Sequence, residues 1–126
     1  MNILISNSSP IPLYEQIQCQ IKNQILNSEL KQGEMLPSIR MLAKELKVSI
    51  ITTKRAYEEL EKEGFLKTSA GKGTFVSTAN TERLREVALY EIESKLEEVI
   101  KSAKIIGLSL DEAMEIFKSL YEDEEV

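Results

Sequence analysis

A mainly α-helical fold with one small β-hairpin is what this sequence predicts: a helix-turn-helix domain carrying the hairpin, then a two-helix hairpin that dimerises. Three observations predict it. Leu36 to Lys54 holds two short amphipathic segments, each with its own serine start signal, separated by a tight turn. After Gly64 the pattern changes to two strand-like runs joined by glycines. From about residue 81 onward, apolar residues return to helical spacing and carry an acidic excess.

The elements follow in chain order. Ile3 to Ile5 is a short apolar run closed by the turn-forming NSSPIP, either a short strand or a disordered start. From Leu13 to about Asn27 the residues Leu13, Ile17, Ile21 and Ile25 recur every fourth position, with Pro12 suited to the first turn and Gly33 in the connection beyond. This is the first helix. The second opens at Ser38 and packs Ile39, Leu42, Ala43 and Leu46 on one side, while Arg40, Lys44 and Lys47 share another face. The third opens at Ser49, runs from about Ile50 to Glu63 and is stopped by Gly64. Its inward face is Thr53, Ala56, Tyr57 and Leu60, which leaves Ile50, Ile51, Lys54 and Arg55 outward near its N-terminal end.

The runs 65–69 (FLKTS) and 74–78 (TFVST), joined by Ala70-Gly71-Lys72-Gly73, read as a β-hairpin with a glycine-rich tip. A hairpin directly after a helix-turn-helix is a wing, so residues 1–78 are expected to form a winged helix-turn-helix domain. Residues 79–126 are expected to form the dimerisation hairpin. Its long helix runs from about residue 81 to Ile106, with Leu84, Ala88, Ile92, Leu96, Val99, Ile100 and Ala103 on one stripe. Gly107 breaks it, and Ser109 with Glu112 forms a capping box that opens a last helix with Leu110, Ala113, Ile116, Phe117 and Leu120 inward. Such a stripe is more than a lone hairpin can bury, so Leu84, Ala88, Ile92, Leu96, Val99, Ile100, Ile116, Phe117 and Leu120 are expected to meet a second copy of the chain. The competing arrangement folds the hairpin back on its own domain.

Composition narrows the function. The net charge of −5 divides unevenly. Residues 1–78 hold ten Lys/Arg against eight Asp/Glu, a net of +2, whereas residues 79–126 hold six against thirteen, a net of −7. Four of those acids lie in the terminal EDEEV, which by itself is an ordinary solvated tail. Attraction to phosphate depends on the local face, so the first half suits double-stranded DNA despite the total. With one cysteine, Cys19, and no histidine, neither a disulfide, a metal site nor a Cys-His nucleophile is expected, and no cofactor is implied. Gly71-Lys72-Gly73-Thr74 is not a phosphate-binding P-loop: the lysine is followed by glycine, and Leu66 stands where the first glycine belongs. Glu58/Glu59 and Glu97/Glu98 are adjacent on helices and diverge, so they form no acid–base pair and no enzyme is expected. No apolar run reaches the ~18 residues needed to cross a bilayer, and the N-terminus lacks a signal-peptide pattern, so no membrane partner and a cytoplasmic location are expected.

With these residues in view, the chain resembles the GntR family of bacterial transcription regulators. The resemblance is carried by PLYEQI (12–17), the Leu36-Pro37-Ser38-Ile39-Arg40 step, residues 47–66, and Gly71-Lys72-Gly73-Thr74-Phe75-Val76. The short helical tail is similar to the YtrA-like subfamily. The resemblance implies a homodimeric repressor that binds an inverted repeat ahead of its own operon, with Arg40 matching a family arginine that reaches DNA. The chain departs from the family pattern at Ile50, Ser69 and Ala70, where many relatives carry arginine or, near position 50, a small polar residue, so fewer cations should reach phosphate from the wing.

The DNA contacts expected from the residues are Ser38, Arg40, Ser49, Ile50, Ile51, Thr52, Lys54, Arg55, Gly71, Lys72 and Gly73. Arg40 offers a fork for phosphate or guanine. Ser49 and Thr52 add hydroxyls to the free N–H groups at the start of the third helix. Of Lys54 and Arg55, one is expected at a base and the other at a phosphate. Ile50 and Ile51 suit thymine methyls, unless Ile51 packs under the turn. Lys72 is presented by glycines that let the backbone approach phosphate closely. A winged helix can also serve as a protein-interaction module without specific DNA binding, the alternative reading. A small-molecule effector of unknown identity is left open: the tail of 48 residues is short for a separate ligand domain, yet a pocket between helices at the dimer interface could exist.

Overall fold

The structure, a computed structural model, describes residues 1–78 and 81–123, with no account of the side chains at 81 and 83. The last three residues of the acidic tail, 124–126, and the expected boundary residue 79 lie outside the described residues. The elements are α1 (Leu13–Leu26), α2 (Ile39–Leu46), α3 (Ile50–Lys62), β1 (Leu66–Ser69), β2 (Gly73–Val76), α4 (Thr81–Ile105) and α5 (Leu110–Asp123). They form two compact units, 1–85 and 86–126.

In the first unit α1 buries Ile17, Ile21 and Ile25, as their fourfold spacing requires. The apolar run before it is neither a strand nor free. Ile3 enters the core, and the backbone of this segment is held by three glutamines one helical turn apart. Gln16 bonds both the N–H and C=O of Ser6, Gln20 does the same for Leu4, and Gln24 donates to the carbonyl of Asn2, at 2.7–2.9 Å. Four helical residues rise about 6 Å and two extended residues about 6.6 Å, so each turn of α1 meets every second residue of the segment.

Ser38 caps α2 by accepting from Met41 N–H at 3.1 Å, and Ser49 caps α3 by accepting from Thr52 N–H at 3.0 Å. The turn between them is made without glycine. Lys47, expected on the basic face of the second helix, instead ends it in a left-handed conformation (φ 57°), with Val48 N–H donating to Ala43 C=O at 3.0 Å. The buried face of α3 is Thr53, Ala56, Tyr57 and Leu60. The Tyr57 hydroxyl donates to Pro37 C=O at 2.8 Å, tying α3 to the residue before the α2 cap. Gly64 adopts φ +89°, a left-handed conformation that turns the chain into the wing and places Phe65 and Leu66 in the core.

The two strands pair antiparallel from Leu66↔Val76 to Ser69↔Gly73. Each strand is displaced by one residue from its expected start: Phe65 precedes β1, and Gly73 belongs to β2 rather than to the tip. The other edge of β2 is also occupied: Gly33 N–H donates to Val76 C=O, Leu36 N–H to Thr74 C=O and Val76 N–H to Glu34 C=O, at 2.8–2.9 Å. The connection after α1 thus fixes the wing as a third, irregular strand.

α4 begins in the first unit. Leu84, expected at the dimer face, packs instead against the core of that unit, near Gly64, because the first turn of α4 still covers the winged domain. The first compact unit extends through Arg85. In the second unit Gly107 (φ +71°) breaks the helix, and the capping box forms: Glu112 N–H donates to Ser109 Oγ and Ser109 N–H to Glu112 Oε1, both at 3.1 Å. Hydrogen bonding to the Ser109 N–H, and after it to the Ser109 hydroxyl, holds the Glu112 carboxyl below its ordinary value. No residue of α5 is buried.

Burial, and then the negative charge of Glu45, push the Tyr57 phenol above its ordinary value. It keeps its proton in the fold while the unfolded chain ionises near pH 10, so its contribution is complete below about pH 10 and is lost as pH rises further. Tyr57→Phe is expected to cost about 1–2 kcal/mol at pH 7. The gap to wild type should narrow above pH 10, as read by urea unfolding at pH 7 and 10.5.

Candidate nucleic-acid interface

The start of α3 exposes what its N-terminal position requires for contact outside the fold. Ile51 is 79% exposed and Ile50 46%, so Ile51 does not pack under the turn. Lys54 and Arg55 are exposed beside them. Lys54 is held by a long 3.8 Å pair with Glu58 that is open to water and therefore weak. Arg55 instead lies over the ring of Tyr14 on α1, its Cζ 3.9 Å from the ring centre.

Not every expected hydroxyl is free. The Ser49 and Thr52 hydroxyls lie 2.8 Å apart and share one proton, and Thr52 is half-buried. Between them the pair has one hydroxyl proton left for another acceptor. Ser38 is exposed, and because its Oγ accepts from the α2 backbone, its own proton stays available.

Arg40 and Lys72 come together on one feature that sequence spacing did not reveal. A groove of about 560 Å³ separates the start of α2 from the wing, lined by Ser38, Ile39 and Arg40 on one side and by residues 68–74 on the other. Met35 forms part of it and lies against Gly73, so that a Cβ at residue 73 would meet Met35 Sδ at 3.4 Å. Gly73 has φ +125°, where L side chains are strained, whereas a Cβ on Gly71 would meet only open space. Gly73 is therefore fixed by shape, and Gly71 by its turn at φ +75°. Tyr14 and Met35 are the residues here that the sequence reading missed. Their signal is faint, since each reads as an ordinary apolar residue until its neighbour from another element is known.

The expected dimer residues other than Leu84 lie in the second unit. Ile92, Leu96, Val99, Ile100, Ile116, Phe117 and Leu120 are exposed, and Ala88 is half-buried. Tyr90, Met114 and Tyr121 join them, and the Phe117 and Tyr121 rings sit 5.9 Å apart on successive turns of α5. Among the described residues no group of His, Cys, Asp or Glu could hold a metal ion, and no helix is long and apolar enough to cross a membrane.

Comparison with known proteins places this geometry. Residues 13–76 match the model of the bacterial regulatory proteins, gntR family. Over 96% of its length the chain is 36% identical to the HTH-type transcriptional repressor YtrA of Bacillus subtilis, of which it covers 93%, so the likeness to YtrA extends through the helical tail. Among solved structures, a transcriptional regulator from Oenococcus oeni superposes with a TM-score of 0.77 at 27% identity, over 93% of this chain and 97% of that one. The AraR(DBD) in complex with operator ORX1 matches 61% of this chain and 96% of its own, with a TM-score of 0.54 at 25% identity.

The wing geometry makes Lys72 testable. Lys72→Ala is expected to weaken binding to specific and random duplexes alike and to lower the slope of log affinity against log salt by about 1. An unchanged slope excludes phosphate contact.

Proposed function

The chain belongs to the gntR family of bacterial regulatory proteins, and from that premise we propose that this DNA-binding transcription regulator acts as a cytoplasmic homodimeric repressor reading an inverted repeat. The observation that carries the reading is the start of α3, where two exposed isoleucines stand beside Lys54. β-Branched apolar side chains on an otherwise polar surface lose nothing in water that they do not regain against thymine methyls in a major groove. The N–H groups of the first α3 turn, with the positive end of the helix dipole, seat the protein on the flanking backbone.

On this reading Arg40 approaches from α2, and Lys72 follows the neighbouring backbone or minor groove, the two lying across the groove between α2 and the wing. Phosphate contacts fix the register and base-edge contacts choose the sequence. The apolar faces of α4 and α5 pair with those of a second chain, which brings two α3 helices to successive major-groove faces about 34 Å apart or a multiple of that. Repression then follows from occupancy of the operator. A small-molecule effector acts on such a dimer only by binding its DNA-competent and incompetent spacings unequally.

The test is a gel shift with a duplex from the region upstream of the chain's own gene, at two salt concentrations, alongside sedimentation of the free protein. A two-chain particle that shifts this duplex ahead of a random one is expected, and a monomer that binds both alike overturns the reading. Ile51→Ala should weaken the specific complex about tenfold, the order of two methylene contacts, and leave random DNA unchanged.

A further inference from the structure

We infer that Tyr14 is a positioning residue for DNA recognition: its ring holds the Arg55 guanidinium at the α1 side of α3, where it meets phosphate, and leaves Lys54 as the cation that reaches base edges. The inference rests on the reading that α3 enters the major groove, and it divides the work of two adjacent cations.

Arg55 is exposed, and among the described residues no carboxylate lies within 4.0 Å of it, yet it does not hang free. At 3.9 Å from the ring centre its guanidinium is in contact with the Tyr14 face. A planar guanidinium seated on an aromatic ring keeps its N–H edge free, so the fork still donates to a phosphate while the ring restricts its direction. Tyr14 is itself fixed. It is half-buried, packs against the core and donates its hydroxyl to Glu15 Oε1 at 3.2 Å.

Lys54 is also exposed but is held differently. It lies about 100° away round α3. Its one ion pair among the described residues is the exposed 3.8 Å approach to Glu58, which DNA can replace without cost. A cation clamped to the neighbouring helix serves affinity on any sequence, and a long, weakly held one beside Ile50 and Ile51 serves discrimination.

Fluorescence anisotropy of the full-length chain on the upstream duplex and on a random duplex, over a salt series, tests this. Arg55→Ala should weaken both complexes by the same factor and lower the salt slope by about 1, whereas Lys54→Ala should narrow the ratio between the two duplexes. Tyr14→Leu should weaken both by about two- to fivefold, the size of an exposed cation–π contact. Tyr14→Phe should restore wild-type binding, and Tyr14→Leu should add nothing once Arg55 is alanine. A Tyr14→Leu loss that persists without Arg55, or that Phe fails to rescue, overturns the inference and assigns Tyr14 to packing alone, as would melting temperatures that account for the affinities. If Arg55→Ala changes neither complex while Lys54→Ala does, the inference falls and the α3 reading stands. If neither changes anything, the α3 reading falls with it.

Discussion

The burial of one face of α3 is the constraint on which the remainder of the winged unit depends. Thr53, Ala56, Tyr57 and Leu60 must leave water, and α1, α2 and β1 are the surfaces that receive them. Because helical residues three and four apart share a face, committing these four inward turns Ile51, Lys54 and Arg55 outward and leaves Ile50 at the edge of the buried face. Tyr57 adds direction to this burial. Its ring is apolar payload, but its hydroxyl has one acceptor, Pro37 C=O, and that bond sets where Ser38 and Arg40 begin relative to α3. On the proposed reading, core and binding surface are thus two sides of one helix.

The acidic total charge and a DNA-binding role are compatible because the charges act locally. At physiological salt, exposed charges separated by more than about 8 Å are largely screened, so attraction to phosphate is set by the nearby cations of a face rather than by the total charge. What matters there is how each cation is held. Arg55 rests on a ring, Lys54 on a weak pair, and Arg40 and Lys72 face each other across a groove. The ring under Arg55 and the weak pair on Lys54 give two neighbouring cations of the same sign different freedom to follow a backbone or a base edge.

The second unit poses the opposite problem. Its helices are well started and stopped, by Gly107 and by the Ser109–Glu112 box, yet α5 has no interior of its own. Caps determine where a helix begins but contribute little to holding two helices against water. Ile92, Val99, Phe117 and Leu120 remain in solvent, and apolar area on that scale is what an oligomer interface uses. These are the faces that the proposed homodimer would cover.

Much of this was legible in the residues themselves. Helix limits, the α3 core face, the hairpin and the capping box are set by contacts within a few positions, so spacing and capping residues encode them directly. Ile3 was not legible, because three glutamines that look like a polar helix face turn out to bind its segment's backbone. Leu84 was not legible either, since a continuous helix carries no mark where it leaves one unit for the next. The same holds for Tyr14 under Arg55 and Met35 against Gly73. The sequence by itself determined which elements exist and which face of each is apolar, because those follow from local periodicity. Only the tertiary structure decided which exposed side chains are neighbours, because that depends on long-range packing of elements distant in the chain.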